Sequence, residues 1–350
     1  MKLIDYRSDT MTKPSQGMLQ AMIQAEVGDD VWGEDPTVRK LEELLADKAH
    51  MENAVFAPSG TQSNLMAIMA HCTRGDEYIV GQTAHTYMWE GGGAAVLGSV
   101  QPQPIEANVD GTLPLTKIVE VIKPLDDHHP RTTLLCLENT INGKVLPLTY
   151  LANAKKLCKE HHLQSHLDGA RVFNATVKLG EPLSAISQHF DSISICLSKG
   201  LGAPVGSVLC GTNELIKKAR RWRKVLGGGM RQAGILAAAG IYALEHNIER
   251  LAEDHEHAQH LAKFLTEIDG VDVLEEGLQT NMVFPKFPKN LYADLVHCLK
   301  QKGILFPKNQ NKNGVVRLVT HLDISKEDIH YTIRAVKDFF THHKLTGEQL

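Results

Sequence analysis

Two stretches bring together residue types able to do chemistry as a pair. They are Ser165-His166-Leu167-Asp168-Gly169-Ala170-Arg171 and Ser192-Ile193-Ser194-Ile195-Cys196-Leu197-Ser198-Lys199-Gly200, with Lys199 lying 31 positions beyond Asp168 (199 − 168). Each starts as a short apolar run and ends in polar residues close to a glycine, the layout of a parallel strand that delivers functional groups at its carboxyl end. One strand end offers an acid and the other an amine. A lysine that follows a buried strand sits where desolvation lowers its pKa, so it can attack a carbonyl and form a Schiff base. An acid facing a pyridine nitrogen keeps it protonated and makes the ring an electron sink, which is what pyridoxal 5'-phosphate needs. Taken alone, Lys199 reads more readily as a surface lysine in a glycine-rich loop.

A third stretch tips that balance. Ser59-Gly60-Thr61 follows the strand-like run Ala54–Ala57 and opens a helix, where free backbone N–H groups and the positive end of the helix dipole favour an anion. It is neither a GxGxxG fingerprint nor a P-loop, and by itself the signal is weak. Beside Lys199 and Asp168 it becomes the phosphate grip that the cofactor also requires. Ser198 adds a hydroxyl, while Lys224 and Arg231, flanking Gly227-Gly228-Gly229, add charge.

The elements that must hold these groups follow from periodicity and turn residues. Strand-like runs occur at Ala54–Ala57, Tyr78–Val80, Ala94–Leu97, Thr133–Leu137, Leu163–Leu167, Ser192–Leu197 and Ser207–Cys210. Helical patterns separate many of them, notably Leu151–His161, and another helix starts at Pro36 with Asp35 as its cap. The expectation is an α/β fold with a mostly parallel central sheet. A long alanine-rich helix is expected over Gly234–Leu251. Short strands near Val271–Leu274, Asn281–Phe284 and Val315–Val319, with helices at Leu291–Lys302 and about Ser325–Phe340, then predict a smaller C-terminal α+β domain. The expected division is residues 1–30 packing on the large domain, 31–249 as the large cofactor-binding domain, and 250–350 as the small domain.

Composition excludes several other classes. The chain has 350 residues, 43% hydrophobic and 22% charged, which is ordinary for a globular protein and enough for a large core. A net charge of −4 gives no electrostatic case for nucleic acid or an anionic membrane. The cationic run Lys217–Lys224 is either a solvated helix face or an anion-binding edge. Six cysteines form no CxxC pair, so they read as buried thiols in a reducing compartment. No apolar stretch reaches 18 residues and the first residues lack a signal-peptide pattern, so a cytoplasmic location is expected. His255-Glu256-His257-Ala258-Gln259-His260 nearly spells a zinc-protease helix, but the histidine required at the fourth position after His255 is Gln259, and no metal site is predicted.

Several motifs in unbroken order complete the picture: Arg7-Ser8-Asp9-Thr10, Gly28-Asp29-Asp30-Val31, Ser59-Gly60-Thr61, Glu138-Asn139-Thr140, His166–Arg171, Ser198–Gly206, Gly227–Gln232 and Arg317–His321. Together they resemble the L-threonine aldolases, pyridoxal-phosphate enzymes of the aspartate-aminotransferase fold (fold type I). The resemblance implies Lys199 as the Schiff-base lysine, Asp168 as partner of the pyridine nitrogen and His85 stacked on the ring face. It implies a cofactor site drawn from Ser59, Gly60, Thr61, Glu138, Arg171, Ser198 and Arg231, with Lys224 reaching in from a neighbouring subunit. Ser8, Arg171 and Arg317 would bind the substrate carboxylate, a task that suits a guanidinium fork. The implied reaction is retro-aldol cleavage of a β-hydroxy-α-amino acid to glycine and an aldehyde. His85 and His128 are both candidates for the base that takes the hydroxyl proton, directly or through a water. Serine hydroxymethyl transfer, racemisation, amino transfer and a silent binding protein of the same fold are the competing readings. A homotetramer built from active-site-sharing dimers is implied, with no nucleic-acid or membrane partner. Ile141 and Trp32 depart from the residues usual in the family.

Overall fold

The computed structural model describes residues 2–342. A sheet of seven strands organises it: β2 (Asn53–Ala57), β3 (Asp76–Gly81), β4 (Gln101–Ile105), β5 (Arg131–Glu138), β6 (Gln164–Gly169), β7 (Ser192–Cys196) and β8 (Ser207–Gly211). Strand β1 (Ile4–Asp5) lies outside this sheet. The strand order is β2-β8-β7-β6-β5-β3-β4, and every pairing is parallel except those of β8 with its two neighbours. All strands other than β8 therefore end on one edge. The near-continuous burial of β3, β6, β7 and β8 is what a sheet covered on both faces demands.

Helices on the faces are set by local signals. α1 (Gln16–Ile23) is capped by Ser15, and α2 (Pro36–Ala49) by Asp35 with proline in its first turn. The Asp35 carboxylate accepts from Thr37 and Val38 at the helix start, and its other oxygen accepts from Gly28 and Gly234 at 3.2 and 2.8 Å. One buried side chain thus ties the loop after α1 to the start of helix Gly234–His246. α3 (Gly60–His71) is buried on nearly all sides from Ser63 to Ala70, and its amino end meets the sheet edge where β2 finishes.

Two expectations from sequence change here. Ala94–Leu97 is not a strand; α5 (Gly93–Val96) is a short helix, and α4 (His85–Met88) precedes it. Gly91 and Gly92 adopt left-handed φ of 62° and 67°, and this reversal sets up the turn of helix that the residue types alone did not reveal. The neighbouring strand is instead β4, where Pro102 and Pro104 argue against a strand except at a sheet edge, and the edge is where it lies. The alanine-rich helix also stops early, at His246, where Asn247 turns its side chain to the Leu201 carbonyl at 2.8 Å and a new helix spans Leu251–Leu265.

Buried apolar side chains form a large cluster running from Met18 to Leu251, a second drawn mainly from residues 258–340, and two smaller ones around α3, one including Val55 and Leu209 and the other Ile68 and Leu134. The second contains β9 (Asp272–Val273), β10 (Met282–Val283), β11 (Pro285–Lys286), β12 (Ile304–Leu305) and β13 (Leu318–Val319) in three two-stranded pairings. Residues 1–30 do not form one segment on the large unit. β1 pairs with β12 in parallel, and Ile4 and Tyr6 are buried in the C-terminal cluster, where the Tyr6 hydroxyl meets Thr332 at 3.0 Å. α1, by contrast, packs on helix Gly234–His246. The apolar Ile4 and Tyr6 find their burial in the smaller core, and that physical need sets the division.

Replacing Asp35 by alanine removes a cap and two tertiary acceptor bonds at once. Asp35→Ala should lose at least about 3 kcal/mol of stability, as cap and charged-acceptor bonds contribute roughly 1 and 1.5–3 kcal/mol. Urea unfolding of the cofactor-free chain measures it.

Candidate active site

Register places the candidate residues side by side. Glu138 at the end of β5 stands opposite Asp168 of β6, and Asp168 stands opposite Ser194 of β7. Ala57 and Cys196 are both register partners of Ser207, so the turn Ser59-Gly60-Thr61 and the loop Ser198-Lys199 leave the sheet on either side of that serine. The Gly60 and Thr61 N–H groups are the first of α3. The Gln62 N–H goes to the Ser59 hydroxyl and that of Ser63 to the Ser59 carbonyl, so the first two N–H groups remain for an anion.

Three carboxylates converge at this edge. Asp168 accepts from the Ala170 N–H at 3.0 Å and from the Asn64 amide at 3.0 Å. The same amide nitrogen donates to Glu90 at 2.8 Å, and Glu90 also accepts from Nδ1 of His85 at 2.8 Å. Glu138 accepts the His85 backbone N–H at 2.8 Å. One atom each of His85, Glu90 and Asp168 lies within 4.8 Å of the others. Burial pushes the Glu138 carboxyl up to about 7, with the Asp168 charge adding to it, and burial likewise raises Glu90. His85 moves up because it bonds Glu90.

Behind Asp168 the sheet carries a line of polar groups whose polarity can be assigned. Since the Asn64 NH2 faces two carboxylates, its oxygen accepts from Nε2 of His166 (3.2 Å), and Nδ1 of His166 accepts the Ser192 hydroxyl proton (2.8 Å). The Ser192 oxygen then accepts from Nε2 of His71 at 2.7 Å. Burial holds His166 down at about 3 and His71 at about 4, so both rings are neutral near pH 7.

On the other side of Lys199 lies an ion pair. Nε and Nη2 of Arg171 meet the two oxygens of Asp9 at 2.7 and 2.6 Å, and both side chains are buried. Burial opposes the Asp9 charge, but Arg171 outweighs it and holds the carboxyl well below the usual range. Asn281 adds an amide contact to Asp9 at 3.4 Å, and Thr12 donates to the Lys199 carbonyl at 3.0 Å. The Lys199 ammonium acts on Asp9, His85 and Cys196 through space. Arg317 is exposed and has no acidic partner among the described residues, and partial desolvation together with the nearby Arg171 charge lowers its pKa.

The residues from 5 to 287 match the model of the beta-eliminating lyase family. A low specificity L-threonine aldolase of Escherichia coli (strain K12) is 55% identical over 327 residues, covering 93% of this chain and 96% of that protein. A probable low-specificity L-threonine aldolase of Arabidopsis thaliana is 43% identical, covering 97% of this chain and 98% of that protein. The chain belongs to the low-specificity L-threonine aldolase family, within the beta-eliminating lyases. A threonine aldolase structure from Leishmania major shares the fold with a TM-score of 0.82 at 22% identity, covering 96% of this chain and 99% of that one.

Within this threonine aldolase fold, Lys199, Asp168, Glu138, His85, Ser59, Gly60, Thr61 and Ser198 lie along one edge of the sheet, with Ser8, Arg171 and Arg317 on the side toward the C-terminal core. Lys224 and Arg231 flank the Gly227–Gly229 loop, whose Gly228 lies against Gln62 near the amino end of α3, and His128 stands elsewhere. His128 is exposed in the loop before β5, at the opposite end of the sheet, where its backbone N–H bonds Asp126. It therefore does not reach this edge within one protomer. Arg231 is exposed and paired with Asp29 at 2.8 Å. Lys224 lines a surface cavity of about 620 Å³ with Asp30, Trp32 and Arg220. Arg171 also departs from expectation: Asp9 takes its Nε–Nη2 fork, so it offers a substrate only the remaining N–H groups. Ile141 is buried beside Leu137 and Glu138, and Trp32 is 77% exposed.

Sequence reasoning gave no role to Asp9, Asn64 or Glu90. An acid five residues after His85, leading into Gly91-Gly92-Gly93, was the available signal for Glu90. Asp9 and Asn64 sit in a motif and a helix whose partners are far away in the chain.

The neutral buried histidines generate a pH dependence. The unfolded chain protonates them near their ordinary value of 6.5, whereas the folded chain leaves them neutral down to about 4 and 3. Stability should therefore fall as pH drops from about 6.5 towards 4, by roughly 3 kcal/mol per pH unit where both rings are protonated only in the unfolded state. Urea unfolding at stepped pH checks this, and His166→Gln should flatten the acid limb.

Proposed function

We propose that this chain is a pyridoxal-phosphate-dependent lyase that cleaves both L-threonine and L-allo-threonine to glycine and acetaldehyde. The observation that carries the reading is the placement of Lys199, Asp168 and the open amino end of α3 on one sheet edge, in a chain 55% identical to a curated aldolase. The residues fit the cofactor. Asp168 accepts from Ala170 and Asn64 and retains acceptor capacity suited to a pyridinium, and the Ser207 hydroxyl lies beside Gly60 at the amino end of α3.

When bound, the cofactor supplies an electron sink for the pair released as Cα–Cβ breaks. The chain's own groups do the rest. Lys199 would supply the amine that holds the cofactor. Gly60, Thr61, Ser59 and Ser198 would hold its phosphate, and Asp168 would keep the ring nitrogen protonated. Arg317 offers an unpaired guanidinium to the substrate carboxylate, assisted by Arg171 and Ser8, and this clamp would fix which bond of Cα is presented for cleavage. His85, with Nδ1 engaged by Glu90, has Nε2 to take the β-hydroxyl proton.

A homo-oligomer completes the proposal. The exposed Trp32, Trp89, Val96 and Leu97 leave apolar surface that a second copy would cover, and His128, at the opposite end of the sheet, together with Lys224 and Arg231 would then serve a neighbour's site. A dimer of dimers, a cytoplasmic location and a part in glycine formation accord with this reading. The six cysteines are unpaired, and no helix among the described residues is long and apolar enough to cross a membrane.

Acetaldehyde release from both threonine diastereomers, read by a coupled alcohol dehydrogenase, with equimolar glycine, is the expected result. Amino transfer to a keto acid without aldehyde release would overturn the reading. Borohydride reduction of the loaded protein should fix the cofactor mass on Lys199, and Lys199→Ala should lose both label and activity. Arg317→Lys should lower kcat/KM by about two decades, corresponding to ~3 kcal/mol for a charge-assisted bidentate contact. Steady-state kinetics with L-threonine measures it.

A further inference from the structure

Glu90 is an acid in a loop that has been drawn indoors. Its side chain is only 5% exposed, although it sits between Trp89 and Gly91, both at the surface. Burying an ionisable carboxyl is costly unless donors meet it. Two do: Nδ1 of His85 and Nδ2 of Asn64, each at 2.8 Å from the same oxygen. The left-handed Gly91 and Gly92 let the backbone reverse so that the side chain can turn inward.

This arrangement fixes the chemistry of His85. A carboxylate can only accept, so the ring proton sits on Nδ1 and the lone pair on Nε2. Nε2 has no hydrogen-bond partner among the described residues, and the ring is 41% exposed on the edge that carries Lys199. The His85 main chain is fixed independently, since its N–H bonds Glu138. Asn64 links the pair to Asp168 through the second proton of its amide. The polarity of that amide is set in turn by His166.

We propose that Glu90 is the positioning residue of this site, holding the His85 ring in its Nδ1–H tautomer with a basic Nε2 presented to the substrate, and that Asn64 couples this pair to Asp168. The inference rests on the aldolase reading only for the identity of the substrate group that meets Nε2. The charged groups around His85 are Glu90, Glu138 on β5, Asp168 on β6 and Lys199 after β7. Among them Glu90 alone contacts the ring through a hydrogen bond.

The test uses cofactor-free protein with ¹⁵N-labelled histidine, the His85 signals being identified by their loss in His85→Gln. The wild-type ring should show the Nδ1–H tautomer and a midpoint above 6.5. Glu90→Gln, nearly isosteric, should lower that midpoint by about one pH unit, the change expected when one adjacent charge is removed. Glu90→Asp should keep it raised. If Glu90→Gln is not recovered folded, Glu90→Ala read at a temperature where it is folded gives the same comparison. In loaded enzyme the acid limb of kcat/KM for L-threonine should move by the same amount. An Nε2–H tautomer in the wild type, or a midpoint unmoved by loss of the Glu90 charge, overturns the proposal. A shifted ring in a protein that releases no acetaldehyde would instead sink the aldolase reading and leave the Glu90–His85 pairing standing.

Discussion

The site depends on one constraint: carboxylates held close together out of water must each be supplied with donors. Asp168, Glu90, Glu138 and Asp9 are all largely removed from solvent, and each is met by a specific N–H group or guanidinium. The sheet supplies the framework for this. Parallel strands ending on a common edge put Glu138 and Asp168 at adjacent register positions, and the helix that starts after β2 contributes both its free N–H groups and, one turn later, Asn64. A single turn of α3 thus leaves free N–H groups at its amino end and meets an acid on its flank.

The division of labour between the two arginines follows from the same accounting. Arg171 is buried, and a buried guanidinium without an anion would be unstable; Asp9 provides that anion within the chain. Having satisfied its fork internally, Arg171 serves as a fixed positive wall. Arg317, exposed and close enough to feel the Arg171 charge, is the member with its donors still available. Two like charges in proximity raise the local positive potential and favour an incoming carboxylate over any neutral group.

Sequence reading recovered the parts of this that local signals encode. The strands ending in Asp168 and before Lys199 announced themselves as apolar runs followed by polar residues and glycine, and the Ser59-Gly60-Thr61 turn as a strand-to-helix junction. What it missed depends on contacts between residues far apart in the chain. Asn64 lies inside a helix that is buried on nearly every side, so no periodicity marks the one face turned to Asp168. Asp9 is a partner of a residue 162 positions away. The strand β4 was hidden by prolines that only an edge position tolerates, and Ala94–Leu97 was misread because a helix of four residues is too short to show its period. His128 was grouped with the site through resemblance, and a single protomer keeps it at the opposite end of the sheet.

The pairing of β1 with β12 gives the chain a definite order of completion. Ile4 and Asp5 have no strand to join until residues 304 and 305 exist, because those are their register partners. The segment from Ser8 to Thr12, which carries the counter-ion of Arg171 and braces the Lys199 carbonyl, hangs directly from that strand. During synthesis the large sheet can assemble early from neighbouring strands, but the first dozen residues must wait for nearly the whole polypeptide to leave the ribosome. A nascent chain therefore carries its lysine and its acid well before it has the means to organise them, and competence arrives as the closing event of folding.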